Sequence, residues 1–172
     1  MKDPAPHPGF PVSATSMLIA AARRHLKQVI SGLVEPLGLT PHQFWALLLL
    51  REIGPQTLTD LASHMWLDHP TTSRLVHALQ DLGYLSIQPH PQQGRRVLIQ
   101  ILPERQAEVD SLAEQAEVFR SELEAGVTPE EKAAFREMMR KLLLNLEGLQ
   151  AKYRGHRRDD LQPTSCHEAR IG

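Results

Sequence analysis

The spacing of the apolar residues changes at Gly83, and this change constrains the fold more than any other feature of the sequence. Before Gly83, apolar residues recur every three or four positions, as in an amphipathic helix. After it they alternate with polar residues, at Leu85, Ile87, Val97, Ile99 and Ile101. The two alternating groups are separated by the polar segment QPHPQQGRR, so the pattern predicts a β-hairpin with a long loop. The fold class is therefore mainly α with a small β-hairpin.

The helix that leads into Gly83 is predicted over about residues 70–82 and has two different sides. Its apolar side consists of Thr72, Leu75, Val76, Leu79 and Leu82. Its polar side consists of Thr71, Ser73, Arg74, His77 and Gln80. Either Asp68 caps this helix, or His69 caps it with Pro70 at the first position, and both versions aim the same face outward. Taken alone, such a polar face is more often a solvated surface than a binding surface.

Three further helices are predicted before this one. The first covers about residues 13–34 and carries a stripe of apolar residues at Leu18, Ala22, Leu26, Val29 and Leu33. The second opens with a capping box formed by Thr40 and Gln43, and its body FWALLLL is apolar almost all round, which predicts burial. A short helix follows at about residues 59–65.

Two long helices are predicted after the hairpin. The first has a stripe at Val109, Leu112, Ala116, Phe119 and Leu123, and it ends at Gly126. A second capping box, Thr128 to Glu131, opens the last helix. That helix has a stripe at Phe135, Met139, Leu142, Leu146, Leu149 and Tyr153. Such narrow, heptad-like stripes need a partner, so we expect them to pack on the first helix and on a second copy of the chain.

Length and composition limit what the chain can be. Its 172 residues suffice for a single domain, predicted over residues 13–154, with a proline-broken arm at 1–12 and a mobile tail at 155–172. The net charge of −1 means that any affinity for nucleic acid must rest on local patches. A single cysteine excludes an internal disulfide framework. The sequence has no apolar run of about 18 residues and no signal peptide, so a cytoplasmic protein without membrane contact is expected.

Two helices followed by a hairpin is the order of a winged helix-turn-helix, in which the second helix enters the major groove of DNA. Arginine can bind guanine or a phosphate, hydroxyl groups can bind phosphates or bases, and arginine also suits a narrow minor groove. This chemistry predicts contacts from Thr71, Ser73 and Arg74, and the predicted contacts also include His69, Pro70 and His77 at the same front of the helix. His69 and His77 could add positive charge near phosphates, or they could simply be solvated. The loop of the hairpin, called the wing, adds Arg95 and Arg96.

Over about residues 15–150 the sequence resembles the MarR family of bacterial transcription regulators. The resemblance rests on LTPHQFWALLLL, TLTDLASHMWLDHPTTSRLVHALQDLGYL, GRRVLIQI and VTPEEKAAFREMMRKLL. It implies a DNA-binding lobe at about 40–102 and a homodimer formed through helices at about 13–35 and 103–154. It also implies a pseudo-palindromic operator on double-stranded DNA, and release by a small ligand, often aromatic, or by an oxidant. The chain departs from the family at Trp66, where members usually carry glycine in the turn.

Other kinds of site find less support. An effector pocket would need partners for an anion and a ring, and His25, Trp45 and Arg51 have that chemistry, although core packing is the more ordinary role for Trp45. The nine histidines include no H-x₃-H pair on one helix, so no metal site is predicted. Neither a catalytic constellation nor a phosphate-binding glycine loop occurs, so no cofactor and no enzymatic activity are expected.

The sequence thus favours a sequence-specific DNA-binding transcription regulator, a homodimeric repressor that a small aromatic ligand releases from DNA. The alternative is a winged-helix protein-interaction module that does not bind DNA. The polar face of the helix at 70–82 and the arginines of the wing favour the first hypothesis. The nearly neutral charge keeps the second one open.

Overall fold

The computed structural model describes residues 15–89 and 96–159. Six α-helices and three β-strands follow one another in this part of the chain. Their order is α1 (Thr15–Val34), α2 (Pro41–Ile53), β1 (Gln56–Thr57), α3 (Leu58–Met65), α4 (His69–Asp81), β2 (Leu85–Pro89), β3 (Val97–Ile101), α5 (Gln106–Leu123) and α6 (Pro129–Asp159). Two short 3₁₀ turns, Glu35–Leu37 and Pro103–Arg105, precede α2 and α5. The mainly helical fold with a small antiparallel sheet is confirmed.

Both predicted capping boxes are present. At the start of α2, the Gln43 amide donates to the Thr40 hydroxyl over 3.3 Å, and the Thr40 amide donates to the Gln43 side chain over 2.7 Å. At the start of α6, Thr128 and Glu131 exchange the equivalent bonds at 2.8 and 3.2 Å. Each box satisfies two amide groups that the first turn of a helix leaves without a partner, which fixes where these helices begin.

The sheet has three antiparallel strands in the order β1-β3-β2, with β3 in the centre. The predicted hairpin pairs Leu85 with Ile101 at one end and Pro89 with Val97 at the other. Strand β1 was not predicted; it pairs Gln56 with Ile99. Because β1 directly precedes α3, main-chain hydrogen bonds tie the hairpin to the start of the helix-turn-helix.

The core lies between the helices and the inner face of this sheet. It includes Ile30, Phe44, Leu47, Leu61, Leu79, Leu85, Ile99, Val109 and Leu112, all of them 2% exposed or less. Three sequence expectations about burial were wrong in part. Trp45 in α2 and Leu82 after α4 are about two-fifths exposed. In α1 the core residues are Ile30 and Val34, whereas the predicted stripe residues Leu18, Leu26 and Val29 are exposed.

The chain divides into two compact units, the first ending at Phe119 and the second starting at Arg120. Within the second unit, the Glu124 carboxylate binds Lys132 at 2.9 Å and Arg136 at 3.5 Å. Helix α6 runs to Asp159, beyond the predicted end at residue 154. The predicted arm at 1–12 and the rest of the predicted tail lie outside the described residues. In the part of the chain that is described, no helix is both long and apolar enough to cross a membrane.

Candidate nucleic-acid interface

The start of α4 is fixed by Asp68. Its carboxylate accepts a hydrogen bond from the Thr71 amide over 2.8 Å, and its main-chain carbonyl accepts one from the Thr72 hydroxyl over 2.9 Å. Asp68 is therefore the cap, and His69 is the first residue inside the helix. This decides between the two starts that the sequence left open.

Helix α4 has one buried side and one exposed side, as the sequence predicted. Thr72, Leu75, Val76 and Leu79 are buried against the core. On the other side, four of the predicted DNA contacts are exposed and two, Thr71 and Ser73, are half-buried. The exposed four are His69, Pro70, Arg74 and His77. We call these six residues the reading face, and the core packing of the opposite side holds it towards solvent.

Arg74 folds back over the first turn of α4. Its Nε donates to the Pro70 carbonyl over 3.3 Å, and its Nη2 donates to the Thr71 hydroxyl over 3.3 Å. Both bonds are long for N–H···O bonds and both lie at an exposed surface, so little free energy opposes their exchange for other acceptors. A guanidinium in this position can reach a guanine edge or a phosphate with its fixed fork of donors.

The hairpin places one of the two predicted wing arginines where its loop enters β3. Arg96 is exposed and immediately precedes β3, whose first residue, Val97, pairs with Pro89. Arg95 lies outside the described residues. The structure therefore brings six predicted contacts together on α4 and sets Arg96 at the end of the hairpin.

The end of α4 is held by three side chains that the sequence did not single out. The Arg105 guanidinium donates to the Gly83 carbonyl over 3.2 Å and to the Glu108 carboxylate over 2.7 Å. Its carbon atom also lies 4.9 Å from the centre of the Tyr84 ring. The Tyr84 hydroxyl donates to Glu108 as well. We call Tyr84, Arg105 and Glu108 the α4 clamp.

The clamp shifts the pKa values of Tyr84 and Glu108. Burial, together with the hydrogen bond to Glu108, raises the pKa of Tyr84 to about 12. Hydrogen bonds from Tyr84 and Arg105 lower the pKa of Glu108. The only local signal for the clamp in the sequence is the spacing of three between Arg105 and Glu108, which suits an ion pair on a helix.

The three candidate effector residues lie in different surroundings. His25 is exposed on α1, and Trp45 is 39% exposed with its ring edge-on to Phe44 at 5.0 Å. Arg51 is already paired, because its Nε donates to the Asp110 carboxylate over 2.6 Å. That bond lowers the pKa of Asp110 and links α2 to α5.

A pocket with a volume of about 720 Å³ lies along α1. Its charged lining includes Arg23, Arg24, Lys27 and Glu35, and none of the three candidate effector residues lines it. Within residues 15–89 and 96–159, no group of three or more histidine, cysteine, aspartate or glutamate residues is placed to hold a metal ion.

Comparison with known proteins finds similar sequences for the part of the chain that contains the reading face. Residues 37–96 match the model of the MarR family. The Bacillus subtilis protein YwoH, an uncharacterized HTH-type transcriptional regulator, is 28% identical over 110 residues, which are 64% of this chain and 80% of that protein.

Solved structures show the same fold. Bordetella bronchiseptica BpsR, described with regulation of its DNA binding by 6-hydroxynicotinic acid, is 24% identical, covers 79% of this chain and 97% of its own, and has a TM-score of 0.66. MepR of S. aureus, solved as a DNA complex, is 22% identical, covers 76% of this chain and 96% of its own, and also has a TM-score of 0.66.

Proposed function

We propose that this chain is a member of the MarR family, whose model its residues 37–96 match, and a sequence-specific DNA-binding transcription regulator that acts as a homodimeric repressor. The observation that carries the proposal is the two-sided helix α4. Its apolar side is buried, and its N-terminal turns expose His69, Pro70 and Arg74. In helix-turn-helix proteins these are the turns that meet base edges in the major groove.

Binding would rearrange few groups on the protein. The Arg74 guanidinium would exchange its long bonds to Pro70 and Thr71 for a guanine edge or a phosphate. Thr71 and Ser73 would supply hydroxyl groups, and Arg96 would contact the backbone beside the wing. Because the overall charge is −1, the phosphate contacts must come from these local cations.

A dimer is supported by apolar side chains that the two long helices leave exposed. Leu18 and Val29 on α1 are more than half exposed, and so are Phe135, Met138, Leu144 and Tyr153 on α6. Monomeric proteins seldom leave so many large apolar side chains uncovered along their helices. Two reading faces in a two-fold dimer would match a pseudo-palindromic operator with half-sites about 34 Å apart.

The proposal includes a small aromatic effector that releases the dimer from DNA, with His25, Trp45 and Arg51 as candidate contacts. A ligand that bound only one spacing of the two reading faces would bias the dimer towards or away from the operator. The regulation of BpsR by 6-hydroxynicotinic acid is a precedent in the same fold. A regulator of this kind needs no cofactor and no catalytic activity, and it would act in the cytoplasm, where the DNA is.

The test uses DNA fragments from the region upstream of the chain's own gene. Fluorescence anisotropy measures the affinity of the protein for each fragment at several salt concentrations. We expect specific binding that weakens steeply as salt rises, because phosphate contacts release counterions. Arg74→Ala should abolish specific binding and leave the dimer intact in sedimentation. Arg140→Ala, which removes an exposed arginine of α6, is the matched control and should bind as the wild type does.

Two results would contradict the proposal. If no fragment binds even at low salt, the chain is not a DNA-binding regulator, and the alternative of a protein-interaction module gains support. If Arg74→Ala binds the operator as well as Arg140→Ala does, α4 does not read the DNA. Each phosphate contact that is lost should lower the slope of log affinity against log salt concentration by about one. If Arg96→Ala leaves this slope unchanged, Arg96 contacts no phosphate, and the rest of the proposal stands.

A further inference from the structure

Trp66 has an unusual backbone conformation in the turn between α3 and α4. Its φ of 55° and ψ of 38° place it in the left-handed region, and it is the only non-glycine residue with positive φ among the described residues. Side chains with a Cβ are sterically disfavoured there, and bulky ones most of all. Such a residue persists only where something compensates for the strain, which makes it a starting point for a functional hypothesis.

The turn itself does not need a tryptophan. The Trp66 amide donates to the Ser63 carbonyl over 3.2 Å, and the Leu67 amide donates to the Ala62 carbonyl over 3.0 Å. These two main-chain bonds form the motif that commonly ends a helix, with glycine at the position of Trp66. Because only main-chain atoms take part, glycine would make the same bonds without the strain.

Core packing accounts for only part of the side chain. Trp66 is 46% exposed, and it is absent from the buried core. Tryptophan normally buries most of its large surface and finds a hydrogen-bond acceptor for its Nε1–H group. A large ring that stays half in solvent at a strained position is therefore suited to a contact outside the chain.

The position of Trp66 indicates which contact. It lies two residues before Asp68, the cap of α4, and three residues before His69, the first residue of the reading face. Consecutive Cα atoms are about 3.8 Å apart, so the Cα of Trp66 lies within roughly 11 Å of the Cα of His69, close enough for its side chain to reach the edge of that face. The edge of a helix that enters the major groove meets the sugar-phosphate backbone that borders the groove.

We propose that Trp66 is a DNA-contact residue whose indole packs against a deoxyribose beside the major groove and whose Nε1–H donates to a phosphate oxygen. The proposal rests on the DNA-binding function proposed above and adds a contact that is independent of sequence. Contacts of this type fix the orientation of a protein on DNA without reading bases. The strain at Trp66 is then kept because only a side chain, and not glycine, can make this contact.

Two variants separate this role from a structural one. Trp66→Gly relieves the strain but also removes the half-buried ring, so we expect its unfolding temperature to stay close to that of the wild type. It should nevertheless bind DNA at least about fivefold more weakly, the loss expected for one hydrogen bond. The loss should be the same for operator and for unrelated DNA. Trp66→Phe keeps a ring but has no N–H group, so we expect its affinity to lie between those of Trp66→Gly and the wild type.

Fluorescence provides a second readout. Trp45 and Trp66 are the two tryptophans of the sequence, so the difference between the wild type and Trp66→Phe isolates the emission of Trp66. We expect DNA to protect this emission from quenching by acrylamide. In the free dimer the same emission should be readily quenched.

These experiments distinguish a failure of the Trp66 proposal from a failure of the DNA-binding function proposed above. If the wild type binds no DNA, that function fails. If the wild type binds and Trp66→Gly binds equally well, only the role of Trp66 is overturned. An affinity loss confined to the operator, an unfolding temperature that falls together with affinity, or protection from acrylamide in the free dimer would each overturn it as well. These results would assign Trp66 to base reading, to packing or to an interface between copies of the chain.

Discussion

The two helices of the helix-turn-helix end with the same hydrogen bonds but with different residues. At the end of α4, the Gly83 and Tyr84 amides donate to the Gln80 and Leu79 carbonyls, both over 2.9 Å. The end of α3 repeats this pattern with Trp66, and the φ angles are similar, 72° at Gly83 and 55° at Trp66. The same backbone conformation therefore carries the residue that suits it at Gly83 and a residue that it disfavours at Trp66.

The ends of α4 and α3 also differ in how tightly the neighbouring side chains hold them. The end of α4 is anchored, because Tyr84 is only 4% exposed and the Arg105 guanidinium holds the Gly83 carbonyl. The end of α3 carries a half-exposed tryptophan beside the reading face. One end is therefore anchored in the fold, and the other leaves a large side chain half exposed. Three predictions follow from this contrast, from the largest expected effect to the smallest.

Truncating the residue that follows each helix end, Tyr84 after α4 and Leu67 after α3, should lower the free energy of unfolding by very different amounts. Tyr84→Ala deletes a buried aromatic ring, so we expect the free energy of unfolding to fall by about 3–5 kcal/mol. Leu67→Ala changes the equivalent residue after α3, which is only half-buried, and should cost clearly less. Urea denaturation of both variants measures the difference. Equal losses would show that both ends are anchored alike and would break the comparison.

A Cβ at Gly83 should destabilise the fold through the backbone alone. The nearest atom that it would meet is the Arg105 Nη2 at 3.8 Å, so there is space for it. Gly83→Ala should nevertheless cost about 1–2 kcal/mol, because the left-handed conformation disfavours a Cβ.

Gly32→Ala is the matched control for Gly83→Ala. Gly32 lies inside α1, where an added Cβ would meet nothing within 4 Å, so alanine there should be stabilising by about 0.5–1 kcal/mol. The same denaturation experiment checks both variants. If Gly83→Ala proved as stable as the wild type, the backbone would not dictate that position.

The charge on Glu108 should contribute to stability in a way that depends on pH, with the smallest effect of the three. The pKa of Glu108 is lowered in the folded state. Its contribution is thus present above the unfolded pKa of about 4.3 and is lost as pH falls through the folded pKa. Glu108→Gln keeps an oxygen acceptor but has no charge, so it should be slightly less stable than the wild type at pH 7.

The pH dependence is the decisive part of that experiment. Thermal unfolding of the wild type and of Glu108→Gln between pH 7 and pH 3 should show the two converging on acidification. A difference that stays constant over this range would mean that the charge of Glu108 does not hold the α4 clamp together.

The sequence predicted those parts of the fold that have a local signal. Capping boxes marked the starts of α2 and α6, because side chain and main chain three residues apart satisfy each other. The alternation after Gly83 predicted β2 and β3. Strand β1 was missed because a strand of two residues, Gln56–Thr57, is too short to show any period. The α4 clamp was missed because Arg105 follows Gly83 by 22 residues, and no local pattern reports that contact.

The candidate site was predictable to a similar degree. The exposed and buried sides of α4 follow from helical spacing, and the structure has them as predicted except at Leu82, which follows the helix and is exposed. What each residue of the reading face contacts stays a prediction, as do the effector contacts of His25, Trp45 and Arg51. Trp66 stood out in the sequence only as a departure from a family pattern, and its backbone conformation gave that departure a physical meaning.

The order of the strands also affects how the protein behaves at high concentration. A sheet edge with free amide and carbonyl groups is a template on which another chain can add a strand, and aggregation can start there. Here the central strand β3 is covered on both sides, and β1, at one edge, has only two residues. At the other edge β2 ends at Pro89, which has no amide hydrogen to offer. The hairpin that would lie on DNA is thus a poor nucleus for intermolecular β-sheet.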